Sequence, residues 1–250
     1  MKHYFTGFFT AVCLTTSLFL FMGSQDSDIN AASITLKSEL GETLISGGSI
    51  VMVNESGKTV YRATIDDGSI SIENFNKYGN KTTYFGSDTK GNGLFATSNK
   101  NGMTMSYIGT NEEGAGFINT SNKDGVKTTY LGSSEEGTGM LKIFNKDGIR
   151  TGYFGNNTKG NGMLATSNND GITTTYLGSG NSGGYIETFH THGAQTVFLG
   201  TGKEGVGFIE TYNKNGEETG YFGTDSENDG IVFLRDRFGF VGWSRSSKDK

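Results

Sequence analysis

The chain has 250 residues, of which 40 are glycine, none proline and one cysteine, with 12% aromatic residues and a formal net charge of −5. Glycine without strict every-third-residue spacing excludes collagen, and the aromatic content excludes a disordered glycine-rich linker. The interspersed, slightly acidic charge leaves no footprint for nucleic acid, and Cys13 alone excludes an intrachain disulfide.

Residues 4–22, from Tyr4 to Met22, carry no charge; Lys2 and His3 precede them, and Asp26 and Asp28 follow. This is the layout of an export signal or a signal anchor over residues 1–25. Its 19 apolar residues approach the ~20 that span a bilayer as a helix. Lys2 on the near side places the N-terminus in the cytoplasm and the remainder outside. Phe21-Met22-Gly23-Ser24 is a poor cleavage site and Ala31-Ala32 lies late, so a cleaved signal and a retained anchor both stand. Cys13, after Val12 rather than a small residue, reads as an apolar residue of this segment and not as a lipoprotein site. Residues 26–46 read as a linker. Leu36, Leu40 and Leu44, four apart, permit a short helix there, which Gly41 weakens.

From residue 47 to 227 the chain repeats, in about eight units. Gly57, Gly79, Gly102, Gly125, Gly148, Gly171, Gly193, Gly216 and Gly239 recur every 22 or 23 residues, a period that marks a stacked repeat architecture. Four of them close the tetrapeptide Asn-Lys-Asp/Asn-Gly. In the unit Gly114–Glu136, Phe117–Ser121 and Val126–Leu131 are rich in β-branched and aromatic residues, which suit strands. Asn122-Lys123-Asp124-Gly125 between them is a hairpin turn, with Gly supplying positive φ. The other connection, such as Gly132 to Gly139, reads as a longer polar loop.

Apolar residues come in adjacent pairs rather than alternating. Leu94-Phe95, Phe117-Ile118, Met140-Leu141, Met163-Leu164, Tyr185-Ile186 and Phe208-Ile209 form one set; Tyr84-Phe85, Tyr107-Ile108, Tyr130-Leu131, Tyr153-Phe154, Tyr176-Leu177, Phe198-Leu199 and Tyr221-Phe222 form the other. Neighbours on a strand point to opposite faces, so both faces carry apolar bulk. The second face is expected to be covered, either by the array coiling as a solenoid or by another chain. Residues 228–250 keep the turn glycine, lose the Asn-Lys-Asp and bring in Trp243, as a capping unit with a polar tail would.

A glycine-rich hairpin of 23 residues ending in Tyr-x-Gly resembles the MORN repeat, which implies stacked hairpins in an elongated sheet used as a scaffold or lipid-contacting module. The strand before the turn is about two residues longer here, and internal units lack the usual Trp. The Asn-Lys-Asp-Gly turn with Tyr-Leu-Gly or Tyr-Phe-Gly is more similar to repeats of uncharacterised bacterial exported proteins. This resemblance covers roughly residues 68–242 and implies architecture, with no catalytic residue to carry over.

No residue cluster specifies a reaction. Gly178-x-Gly180-x-x-Gly183 and Gly200-x-Gly202-x-x-Gly205 match a dinucleotide fingerprint only as strings, because no helix follows. His190 and His192 fall in a turn with no third ligand near. Acidic residues recur in the loops, but Lys90, Lys159 and Lys203 interrupt them and no calcium-loop pattern is present. Near-identical repeats give many equivalent sites rather than one special site, which argues against an enzyme. Catalytic, metal and cofactor residues are therefore expected to be absent.

The expectation is an all-β, elongated β-hairpin repeat array, meander or β-solenoid, with an N-terminal apolar helix. It would be an exported structural or interaction protein at the cell envelope, held to the membrane by residues 4–22, and a homo-oligomer of the trimeric kind or another. The alternative is an adhesin-like module for a surface glycan or protein. It would use the column Tyr84, Tyr107, Tyr130, Tyr153, Tyr176 and Tyr221, or a tip made by Arg235, Arg237 and Trp243.

Overall fold

The computed structural model describes residues 33–66 and 68–248. The apolar segment 4–22, and with it the expected N-terminal helix and Cys13, lies outside the described residues. Five strands open the chain: β1 (Ser33–Ser38), β2 (Gly41–Ser46), β3 (Ser49–Asn54), β4 (Thr59–Asp66) and β5 (Ser69–Phe75). The array continues with β6 (Lys81–Ser87), β7 (Gly93–Ser98), β8 (Thr104–Thr110), β9 (Gly116–Ser121), β10 (Lys127–Ser133) and β11 (Gly139–Phe144). Next come β12 (Arg150–Asn156), β13 (Gly162–Ser167), β14 (Thr173–Ser179), β15 (Gly184–Phe189) and β16 (Gln195–Thr201). The last are β17 (Gly207–Tyr212), β18 (Glu218–Thr224), β19 (Gly230–Arg235) and β20 (Val241–Ser246).

Every strand pairs antiparallel with its neighbours in sequence, giving one open 20-stranded meander. At ~4.8 Å per strand such a sheet is ~95 Å long. Of the two forms expected, meander and solenoid, the chain adopts the meander: among the described residues no pairing brings β20 back to β1. The sheet is a single layer. Met140 and Ala165 are the only buried apolar side chains among the described residues.

The turns explain the regularity. In Asn122–Val126, the Asn122 N–H donates to Val126 O (2.8 Å) and the Gly125 N–H to Asn122 O (2.9 Å). Asn122 Oδ1 accepts from the N–H groups of Asp124 and Val126, both at 3.0 Å. Gly125 sits at φ 82°, where other L-residues are strained. The connections on the opposite edge, expected from their composition to be longer polar loops, form the same turn instead. Asp88 N–H donates to Asn92 O (2.8 Å), Gly91 N–H to Asp88 O (3.0 Å), and Asp88 Oδ1 accepts from Lys90 and Asn92.

The 23-residue unit is thus two half-units of 12 and 11 residues, as from Gly125 to Gly137 and on to Gly148. The extra residue is a bulge: the β9–β10 register skips between Lys127 and Thr129, while β10–β11 runs without a break. Thr82, Thr196 and Thr219, at the equivalent bulges, donate their hydroxyls to carbonyls of the preceding strand. The 22-residue unit arises where Gly180 N–H closes directly on Gly183 O (2.8 Å) and a turn residue is lost.

Two stretches differ from expectation. Residues 34–45 form the hairpin β1–β2, not a helix: Leu40 falls in the turn, and Leu36 and Leu44 pair across to Thr43 and Thr35. Pairing of β2 with β3 along its whole length outweighs the four-residue leucine spacing. At the other end Ser244–Ser246 belong to β20 rather than to a polar tail.

Candidate functional site: two unlike faces

Residues paired directly across antiparallel strands share a face, and the registers sort the apolar pairs cleanly. One member of each pair joins an unbroken row running Ile34, Ile45, Ile50, Ala63, Ile72, Phe85, Phe95, Ile108, Ile118, Leu131, Leu141, Phe154, Leu164, Leu177, Ile186, Leu199, Ile209, Phe222 and Val232. This ridge is open to solvent: Phe85, Leu131, Phe154 and Phe222 are 59%, 50%, 62% and 63% exposed.

The other face carries the tyrosine column. Tyr84, Tyr107, Tyr130, Tyr153, Tyr176 and Tyr221 lie on alternate strands, separated in the same row by Ala96, Asn119, Lys142, Ala165, then Glu187, Phe198 and Glu210. The structure does bring these tyrosines into one column, and it gives each ring a local task. Tyr130 lies along its strand over Gly132 and donates its hydroxyl to Ser133 O (2.8 Å). Tyr84, Tyr153 and Tyr221 do the same to Ser87, Asn156 and Thr224. A Cβ on Gly132 would lie 2.7 Å from Phe117 Cβ and 3.0 Å from Tyr130 Oη. The glycine of Tyr-x-Gly therefore makes room for two rings at once. The bulky neighbour of each unit drops into that space, so that Tyr107, Phe117 and Tyr130 stack with centroids 5.0 and 5.8 Å apart. Phe198, Phe208 and Tyr221 repeat the stack at 5.1 and 5.6 Å.

Charge follows the tyrosines. Every charged strand residue from β1 to β19 lies on their face; on the ridge face the first is Arg245 of β20, opposite Val232. Lys127 and Lys142 both sit over the Tyr130 ring, at 5.7 and 5.5 Å, and Arg150 over Tyr153 at 5.5 Å. Lys127, Tyr130, Lys142 and Tyr153 line a groove of about 560 Å³. Further along, burial beside Tyr176 and Phe198 raises the Glu187 carboxyl above its ordinary range. Burial, then a hydrogen bond to Glu210, pushes the Tyr212 hydroxyl far up.

The expected tip does not form a single site. Arg235 is on the tyrosine face, held by Glu218 (3.0 Å) and the Gly239 carbonyl (3.3 Å). Trp243, half exposed, is on the ridge face opposite Leu234. Arg237 is in the turn, 5.5 Å over the Phe238 ring. The glycines Gly79, Gly102, Gly125, Gly148, Gly171, Gly193, Gly216 and Gly239 all hold turns at φ 81–87°. The His190 and His192 rings meet at 4.8 Å in their turn. Among the described residues no three His, Cys, Asp or Glu side chains gather as a metal site.

A second glycine column escaped the sequence reading. Gly93, Gly116, Gly139, Gly162, Gly184, Gly207 and Gly230 each start a strand, on the ridge face, two residues before a ridge member. None has positive φ. A Cβ at Gly93, Gly139, Gly162, Gly207 or Gly230 would meet nothing within 4 Å, and at Gly116 and Gly184 only a carbonyl at 4.0 and 3.8 Å. Ser87, Thr110, Ser133, Asn156, Ser179, Thr201 and Thr224 pair with them in the same row, so glycine alternates with short polar residues along a shallow groove beside the ridge. The signal was present as the second glycine of Gly-x-Gly, where only the first belongs to the turn.

No protein-family model matches this chain, and no curated protein matches it. Among solved structures, a porin-like protein from Bacteroides uniformis aligns over 86% of this chain and 92% of its own, at 10% identity. Its TM-score of 0.16 carries no argument.

Proposed function

We propose that this is an exported structural or interaction protein, held at the cell envelope by residues 4–22, whose open meander serves as an elongated, self-associating scaffold. One observation carries the reading: the array is a single layer in which one hairpin geometry recurs from unit to unit. It offers a long series of equivalent surfaces and no enclosed site among the described residues. Copies of one weak site along a rod bind through avidity rather than through one tight pocket. The similarity of its turn and Tyr-Leu-Gly ending to repeats of bacterial exported proteins supports the same reading. Fractionation of the producing cell, with small-angle scattering of the purified chain, tests it. The protein is expected in the envelope fraction and as a particle at least ~95 Å long; a cytoplasmic, compact globule contradicts it.

A second reading, a glycan-binding module, is favoured by the groove of Lys127, Tyr130, Lys142 and Tyr153, where cations and ring faces lie side by side. Retention on a glycan array that is lost in Tyr130→Ala/Tyr153→Ala supports it, and no retention by the parent chain removes it.

A further inference from the structure

The ridge face combines three properties that the tyrosine face lacks. It has no charged strand residue from β1 to β19. Its large apolar side chains form one continuous row in which exposed members such as Phe85, Leu131, Phe154 and Phe222 alternate with half-buried ones such as Phe95 and Leu141. Its glycine column has no use inside the chain, because neither backbone angle nor neighbouring atoms require it. Glycine inside sheets otherwise marks a bulge, a bend or the close approach of something else. Bulges fall at the other ends of these strands, so close approach remains.

We propose that the ridge face is the surface on which a second copy of this chain docks, ridge into glycine groove and groove onto ridge. This rests on the scaffold reading insofar as self-association is part of it. The face is complementary to itself. Ridge and groove run parallel, two residues or ~7 Å apart along the strands, and the open groove beside Leu131, Leu141, Phe154 and Leu164 has a volume of about 580 Å³. A two-fold axis along the sheet, midway between the two rows, lays each ridge in the other copy's groove. Leu141 then meets Gly139 of the second copy, and Leu164 meets its Gly162. No other two-fold axis in the contact plane does this; one parallel to the strands sets ridge on ridge. The chosen axis also keeps both β1 strands at the same end, which suits two chains leaving one membrane.

The area is sufficient. From β6 to β19, ridge, groove and the threonine row on the ridge's other side span ~65 Å by ~20 Å, roughly 1,300 Å². A stable complex needs about 800 Å² per partner. Covering the threonine row strands few polar groups, since hydroxyls there already bond across strands: Thr97 with Ser106 at 2.6 Å and Thr120 with Thr129 at 2.7 Å. A bilayer is a poorer occupant. Membrane strands need about 9–11 residues and an apolar band ~25 Å tall, whereas these have six to eight residues and one apolar row.

The test uses the full chain with Cys13→Ser, so that introduced cysteines are unique. Chains carrying Gly139→Cys and chains carrying Leu141→Cys are produced together and oxidised. The expected product is a disulfide between unlike chains, with little between like chains. Light scattering in mild detergent should give a multiple of the chain mass. Filling the groove by Gly139→Val/Gly162→Val, where the chain itself leaves open space, should weaken association by at least about tenfold while the circular dichroism spectrum stays unchanged. Lys142→Glu/Glu187→Lys on the tyrosine face should not weaken it. A multimer indifferent to groove filling but broken by the tyrosine-face change overturns this inference and leaves the scaffold reading intact. A single-chain mass for the parent protein overturns both. Cross-linking of Leu141→Cys to a different protein, with none between copies, overturns the pairing alone.

Discussion

The two glycine columns of this sheet occupy matching places in the repeat and have opposite physical meanings. Gly132 and its equivalents on the tyrosine face are fixed from within. At Gly132, Gly200 and Gly223 a ring lies over the glycine and a second aromatic residue leans in from the neighbouring strand. At Gly109 and Gly155 that second neighbour is Leu94 or Met140, and an added Cβ would strike the neighbours at each of these five. Gly139 and its equivalents on the ridge face leave open space where a Cβ would stand, with no more than a carbonyl at 4.0 Å near Gly116 and at 3.8 Å near Gly184. One face packs its rings against its own chain, and Tyr84, Tyr130, Tyr153 and Tyr221 bond their hydroxyls to its backbone. The other presents apolar bulk beside an empty trough. Identical residues in one repeat thus separate what folds the protein from what the folded protein offers to another molecule.

Breaking the inner column should have the largest effect. Phe117→Ala removes the ring between Tyr107 and Tyr130 and should cost about 2–3 kcal/mol, from lost area and lost stacking. Leu131→Ala, on the half-exposed ridge, should cost well under half as much in a dissociated chain; urea titration of the two variants compares them. Next come the turns that serve both faces. Asn122→Ala deletes two hydrogen bonds to the turn backbone and should cost about 1–2 kcal/mol. Lys123→Ala beside it, with an exposed ion pair to Asp124, should be nearly neutral. Asn228 holds the positive-φ place (67°) that glycine fills in the other turns. Asn228→Gly should therefore stabilise the fold slightly, by about 0.5 kcal/mol or less, read as a small rise in melting temperature.

The smallest effect concerns a charge on the tyrosine face. Burial raises the Glu187 carboxyl, so the folded chain binds a proton more tightly there than the unfolded chain does. Its influence is favourable below the unfolded value and is lost as pH rises through the folded one. Glu187→Gln should thus melt slightly higher than the parent at pH 7 and indistinguishably at pH 4. The reverse order would show that Glu187 is stabilised by partners rather than desolvated.

Much of this arrangement is legible in the residues. The Asn-Lys-Asp-Gly turns announce hairpins because each part acts locally: Asn caps the turn and Gly supplies the angle. The adjacent apolar pairs announce two apolar faces because strand alternation is fixed at two. The second set of turns was hidden because its first residue varies chemically. Asp88, Asn111, Ser134 and Asn157 all accept from the turn backbone, yet they share no tetrapeptide. Leu36, Leu40 and Leu44 suggested a helix because spacing is a local signal, whereas β1 and β2 are decided by pairing with β3. Arg235 and Trp243 look like one tip in sequence, but alternation sends them to opposite faces. The empty glycine column could not be told from turn glycines until backbone angles and open space were known.

The most direct test compares the two columns within one background. In a chain carrying Leu141→Gln/Leu164→Gln, where association through the ridge is removed, Gly132→Ala and Gly139→Ala are melted side by side. The tyrosine-face change should lower stability by about 1–3 kcal/mol through overpacking. The ridge-face change should leave it unaltered or raise it by up to about 1 kcal/mol, as alanine replaces glycine in a strand. An equal loss in both variants would contradict the claim that the ridge-face glycines serve nothing inside their own chain.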